Sequence, residues 1–133
     1  MAESPRGVSM LTDAGLIAIV GVSDLGGAAA FYGRLLGLDV RVEEPFAVVS
    51  AHRDAQLRLT RVARVAPAPY SVLGWRVGDL RATVRDLHSR GVRTIRYDGM
   101  EQDADDVWVA PDGTGVAWFT DPDGNLLSVV GPV

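Results

Sequence analysis

Side chains able to do chemistry are few in this 133-residue chain. Cysteine is absent, which removes disulfides, thiolate zinc sites, iron–sulfur ligation and a cysteine nucleophile together. Chemistry then falls to oxygen and nitrogen. His52 stands in a turn and His88 on the polar side of a helical run, so surface or cap roles are expected of both. Acids crowd at Glu101, Asp103, Asp105 and Asp106, within an irregular stretch from Asp98 to Asp106. Like charge at that density predicts an exposed, mobile loop. Two arginines in strand-like runs, Arg58 and Arg76, suit a carboxylate, phenolate or carbonyl group, or a flat ring to stack upon. Strand arginines also lie over apolar surface or pair with carboxylates, and both uses are open.

The elements that must position these groups are marked by turn and cap residues. Leu16 to Val22 is a short aliphatic run, as in a strand buried on both faces. Asp24 follows as a helix N-cap, because its carboxylate accepts the free N–H groups of the next turn and opposes the helix dipole. Leu25, Ala28, Tyr32, Leu35 and Leu36 recur at helical spacing, and Gly37 supplies the left-handed stop. Leu38 to Glu43, Phe46 to Ala51 and Ala55 to Val62 read as three strands. The order then begins again. Val22-Ser23-Asp24-Leu25 returns as Val77-Gly78-Asp79-Leu80, an offset of 55 residues. A second helix carries Leu80, Val84 and Leu87 and stops at Gly91. Strands are expected near Val92 to Tyr97, Val107 to Val109, Val116 to Thr120 and Leu126 to Val130.

The organisation expected is therefore α+β: a mobile N-terminal arm (1–13), then one domain (14–133). That domain holds two βαβββ modules, 16–62 and 70–131, joined by an Ala- and Pro-rich linker (63–69). The length suits one core and not two. With 47% hydrophobic and 23% charged residues the composition is globular. No run approaches the roughly 18–20 apolar residues of a membrane span, and residues 1–13 lack the apolar core of a signal peptide, so cytoplasmic residence is expected. A net charge of −4, from 17 acidic and 13 basic residues, argues against a nucleic-acid surface.

Two βαβββ modules, with Val22-Ser23-Asp24-Leu25 before a helix bearing Phe31-Tyr32 and ending Leu35-Leu36-Gly37-Leu38, resemble the vicinal oxygen chelate superfamily. That group includes glyoxalase, extradiol dioxygenases, fosfomycin-resistance enzymes and bleomycin-resistance proteins. Phe119-Thr120-Asp121-Pro122-Asp123-Gly124-Asn125 is similar to the family's last hairpin. Taken alone it is a turn signal, with Pro fixing one dihedral and Gly accepting positive φ.

The resemblance implies curved mixed sheets with helices on the convex side, and metal ligands at three strand positions on the concave side. Here those positions fall on Ile17, Val72 and Ser128, two aliphatic groups and one hydroxyl, which cannot replace a divalent ion's water. No metal and no other cofactor is expected. Setting the strand alternation by these three residues puts Ile17 and Ile19, Val72, Gly74 and Arg76 on the concave face. Val116, Trp118 and Thr120 join them beside Ser128, with Trp118 as the floor. Arg58 and Thr60 are expected there too, while Met100 and Trp108 flank the acidic loop as a possible lid. Trp75 and Phe119 take the opposite phase, under the helices.

Apolar walls with a few orienting polar groups are the composition of an organic-ligand pocket. The expected function is metal-independent binding and sequestration of an aromatic or drug-like natural product, as in antibiotic resistance. A metal-independent isomerase, cyclase or hydrolase is the alternative, with Asp98, Glu101 or Asp103 swinging in from the loop. The acidic loop would instead draw a cationic glycopeptide. The resemblance also implies a homodimer with cavities at the subunit interface, where Ile17 and Ile19 of one copy meet Val72 and Ser128 of the other.

Overall fold

A computed structural model describes residues 10–133. Residues 1–9 of the expected arm lie outside the described residues, and Leu11–Asp13 forms one exposed 3-10 turn. Strand β1 (Ile17–Val22) buries Val20 and Val22 on one face only. Asp24 then caps helix α1 (Leu25–Ala29), accepting from the backbone N–H groups of Gly26 (3.2 Å) and Gly27 (3.0 Å). The helix widens into a π-type turn over Ala30–Leu35, in which Leu36 N donates to Phe31 O at 2.9 Å. Leu25, Ala28 and Tyr32 form its buried stripe, and Gly37 ends it at φ +79°. Strands β2 (Val40–Glu43), β3 (Phe46–Ser50) and β4 (Gln56–Arg61) complete the first module.

The second module repeats this plan. Strand β5 (Leu73–Arg76) leads to Asp79, which caps helix α2 (Leu80–Ser89) through Ala82 N at 3.1 Å. Leu80, Val84 and Leu87 point inward. Strands β6 (Trp108–Val109), β7 (Thr114–Thr120) and β8 (Leu126–Pro132) follow. The sheets have matching orders, β1-β4-β3-β2 and β5-β8-β7-β6. In each, the first strand runs parallel to the last, placing Ile19 opposite Arg58 and Gly74 opposite Ser128. Ile19 and Gly74 are themselves 55 residues apart, so Arg58 and Ser128 occupy the same place in the two modules.

Two expectations fail. Residues 92–97 are not a strand: one backbone bond ties them to the sheet, Ile95 N to Trp118 O at 2.8 Å. Two of their other backbone groups are taken by the Gln102 side chain, which accepts from Tyr97 N (2.7 Å) and donates to Ile95 O (2.9 Å). A side chain thereby supplies what a ladder would have. β1 is also not covered on both faces, because among the described residues no element crosses the face opposite the helices. Ile17 stays 48% and Ile19 67% exposed.

One core joins both modules on the helix side, where Phe31 meets Phe119 (6.5 Å between centroids) and Trp75 stacks on Phe119 (6.4 Å). The hairpin between β7 and β8 fastens the seam. Buried Asp121 accepts from the Tyr32 hydroxyl (2.8 Å), Asn125 Nδ2 (2.9 Å) and the N–H groups of Asp123 and Asn125 (both 2.9 Å). Asn125 Nδ2 also donates to Gly21 O at 2.8 Å, and Ser23 donates to Asp123 from its backbone (3.0 Å) and hydroxyl (2.5 Å). Burial, reinforced by the charge of Asp121, pushes the Tyr32 hydroxyl pKa up, so it serves as a neutral donor.

Candidate functional site

Pleating sorts the strand residues as expected: one face of each sheet lies under the helices and the other is open. In the second sheet Leu127, Val129, Ala117 and Phe119 are buried against the helices. The open face carries Gly74 beside Ser128, Ser128 beside Trp118, and Val116 between Val130 and Trp108. Val72 stays 38% exposed, and Thr120 and Arg76 are exposed as well. In the first sheet Leu57 and Leu59 face the helices, whereas Ile19, Arg58 and Val48 lie side by side on the open face. Thr60 sits next to Phe46 on that face.

Trp118 is the centre of an aromatic cluster. The Tyr97 ring meets it edge-on at 5.5 Å, and the Trp108 ring lies at 6.4 Å, tilted by 38°. All three are half-buried. Trp108 is no lid, because pairing of β6 with β7 fixes it into the sheet beside Val116. Met100 closes a turn that begins at Tyr97, with Met100 N donating to Tyr97 O at 3.3 Å. Tyr97 escaped the sequence reading because its segment was assigned to a strand of its own. Phe46 was missed too, although antiparallel pairing across the His52 turn sets it diagonal to Arg58. The Arg58 guanidinium carbon lies 4.6 Å from the centre of the Phe46 ring.

The three positions implied for metal ligands do not fit an ion. Ile17 and Val72 offer no donor, and Ser128 is buried with its hydroxyl accepting from Ser71 Oγ at 2.9 Å. Among the described residues no three His, Asp or Glu side chains converge to hold a metal.

The acidic loop is tied down, which corrects the expectation of a mobile segment. Arg81 pairs with Asp103 (2.5 Å), Arg85 with Asp105 (3.2 Å) and Arg96 with Asp106 (2.9 Å). Asp103 also accepts from the N–H groups of Asp105 (2.9 Å) and Val107 (3.1 Å). Burial alone would raise its pKa; the Val107 N–H, Arg81 and the Asp105 N–H outweigh that, and the net shift is downward. Like-charge crowding misled because the neutralising arginines come from α2 and the 92–97 segment. His88 has a surface role, its Nε2 lying 2.8 Å from Thr94 Oγ1, which donates to Asp106 at 2.6 Å.

The predicted residues fall on two separate sheets. No ladder joins the sheet of Ile17, Ile19, Arg58 and Thr60 to that of Val72, Trp118 and Ser128. Among the described residues β1 pairs only with β4 and β5 only with β8, leaving one edge of each unpaired. Arg76 borders a different hollow, of about 190 Å³, beside Trp75, Leu36, Leu87 and Phe119 at the seam between modules.

A chain of two βαβββ modules clamped by this hairpin defines a class, and residues 15–129 match the model of one family. The protein belongs to the glyoxalase/bleomycin resistance protein/dioxygenase superfamily. Among solved structures, a member of that superfamily from Sphaerobacter thermophilus is 22% identical with a TM-score of 0.71, over 92% of this chain and 99% of that one. A glyoxalase/bleomycin resistance protein/dioxygenase from Alicyclobacillus acidocaldarius is 18% identical with a TM-score of 0.69, over 90% and 92%. TnmS3, an antibiotic binding protein from Streptomyces sp. CB03234, is 25% identical with a TM-score of 0.62, over 94% and 100%. No curated protein matches the chain.

Proposed function

We propose that the protein binds and sequesters a flat aromatic molecule of the drug-like or natural-product kind, without metal chemistry. The observation that carries this reading is the half-buried cluster of Tyr97, Trp118 and Trp108 on an open sheet face whose implied ligand positions hold Ile17, Val72 and Ser128. Rings left partly in water gain about 25 cal/mol per Å² of apolar area that a ligand covers. Stacking adds roughly 0.5–1.5 kcal/mol per aromatic pair. Likeness to an antibiotic binding protein supports the same reading.

The proposal includes a homodimer in a cytoplasmic setting. One chain leaves Ile17, Ile19 and Val72 exposed along the two unpaired edges, a pattern that calls for a cover. Setting β1 of one copy alongside β5 of the other completes a cleft, with Ile17, Ile19, Arg58 and Thr60 on one wall. Val72, Trp118 and Ser128 of the partner subunit form the other wall. Symmetric pairing of this kind closes on itself and makes two equal clefts. A metal-independent isomerase, cyclase or hydrolase would need a free acid or base at the cleft; of the candidates Asp98, Glu101 and Asp103, the last is held by Arg81 and two backbone N–H groups. A cationic glycopeptide is drawn less strongly for the same reason, since Arg81, Arg85 and Arg96 pair with three of the loop's five acids.

The test is tryptophan fluorescence and titration calorimetry against polycyclic aromatic and peptide antibiotics. Binding of aromatic compounds at one site per chain, weakened at least tenfold by Trp118→Ala, is the expected result. Absence of binding across the panel overturns the reading.

A further inference from the structure

Arg58 is the one group on the open face of the first sheet whose bonding is incomplete. Its Nε is buried and makes no hydrogen bond, and it is the only buried side-chain nitrogen or oxygen in that condition among the described residues. Its one side-chain bond is a long 3.5 Å contact from Nη2 to Gln56 Oε1. The guanidinium carbon lies over the Phe46 ring, with Ile19 and Val48 flanking the residue on neighbouring strands. A guanidinium cannot discharge by losing its proton, so a half-buried one without an anion is an unmet demand.

Among the described residues the nearby acids do not meet it. Glu43, at the far edge of the same sheet, is taken by Arg41, and Glu44 pairs with Arg61 at 2.8 Å. Among the described residues Arg58 has no carboxylate within ion-pair distance. The opposite wall in the dimer brings none either: the open face of β5, β7 and β8 carries aliphatic, hydroxyl and indole groups and a second cation, Arg76. With no described carboxylate paired to it, the guanidinium is left free to take an anion from the ligand.

We infer that Arg58 is the specificity-determining residue of the cleft and that its ligand is an anionic aromatic, a carboxylate or phenolate attached to the ring system that stacks on the indoles. This rests on the binding function proposed above. Planar donors of a guanidinium match a carboxylate in a forked, two-bond contact that an ammonium cannot reproduce. Turning the head towards such a group exchanges the long contact to Gln56 and part of the contact with Phe46 for charged hydrogen bonds that can include Nε. The place of Arg58 in the fold fits the role: it occupies in module one the register position that Ser128 holds in module two, where Ser128 lies next to Trp118 of the aromatic platform.

The experiment uses the full chain with pyrene-1-carboxylate and its neutral match, pyrene-1-carboxamide, in calorimetric titrations at neutral pH. Wild type is expected to bind the carboxylate at least tenfold more tightly than the carboxamide. In Arg58→Met that ratio falls to within twofold, with the loss falling mainly on the carboxylate, and Arg58→Lys recovers only part of the preference. Equal affinity of wild type for the two probes, or a preference that survives in Arg58→Met, overturns the inference and leaves aromatic binding standing. Failure of both probes to bind removes the aromatic site itself and the inference with it.

Discussion

Two charged side chains have been drawn out of water in this molecule, and their surroundings are opposite. Asp121, at the β7–β8 hairpin, is buried and accepts four hydrogen bonds, one from Tyr32 in the other module. Arg58, on β4, is half-buried with an orphaned Nε and, among the described residues, one long contact and no counter-charge. A charge whose partners are all supplied by the chain is part of the scaffold, whereas one whose partners are missing costs free energy until something external provides them. The same distinction separates the two faces of each sheet. The helix side is closed, and the open side keeps exposed isoleucines and half-buried indoles.

Removing Asp121 should break the contrast most severely. In Asp121→Ala the Tyr32 hydroxyl, the Asn125 amide and two backbone N–H groups lose their acceptor inside the seam. Leaving several buried donors unpaired costs about 3 kcal/mol or more of stability. Urea denaturation followed by circular dichroism should register it as a lower midpoint. Affinity of the remaining folded protein for an aromatic probe should change little, since the hairpin lies on the helix side. An unchanged midpoint would mean that the modules do not depend on this clamp.

Arg58→Met should act with the opposite sign or not at all. Methionine keeps the contact with Phe46 and removes an uncompensated charge, so stability should rise or stay within about 1 kcal/mol of wild type. The same denaturation measurement checks it. A loss comparable to that of Asp121→Ala would show that Arg58 has a partner within the folded chain and would erase the contrast.

This contrast also marks what could be read from the sequence. Caps at Asp24 and Asp79, stops at Gly37 and Gly91 and the 55-residue offset depend on local chemistry, and each is found where its residues predict. The phase of the strands was legible for the same reason, since alternation is intrinsic to a pleated backbone. Contacts between distant segments were not. The 121–125 motif reads as a turn and is one, yet nothing near it in sequence announces Tyr32, Ser23 or Gly21 as its partners. Gln102 takes the place of a ladder for residues 92–97, a substitution of side chain for backbone that periodicity cannot reveal. Trp118 could be placed on the open face by counting, whereas Tyr97 reached it through a loop that counting could not follow.

The acidic loop stands between the two extremes, because its charges are paired but at the surface. Asp103 shares Arg81 with Asp105 and caps two backbone N–H groups, and its pKa is held below the ordinary 3.8. A carboxylate whose folded pKa is depressed contributes stability that is present in full above its unfolded value and is lost as pH falls through the folded one. Wild type should therefore exceed Asp103→Asn in stability at neutral pH, and the difference should shrink as pH falls below about 3.8. Both partners are about one-third exposed, so solvent screening keeps the effect smaller than either change above. Thermal melts of the two proteins across the acid range provide the check. A difference that persists undiminished at the acid end would mean that the amide disturbs the loop by its shape, and that the ion pair with Arg81 contributes nothing that titrates.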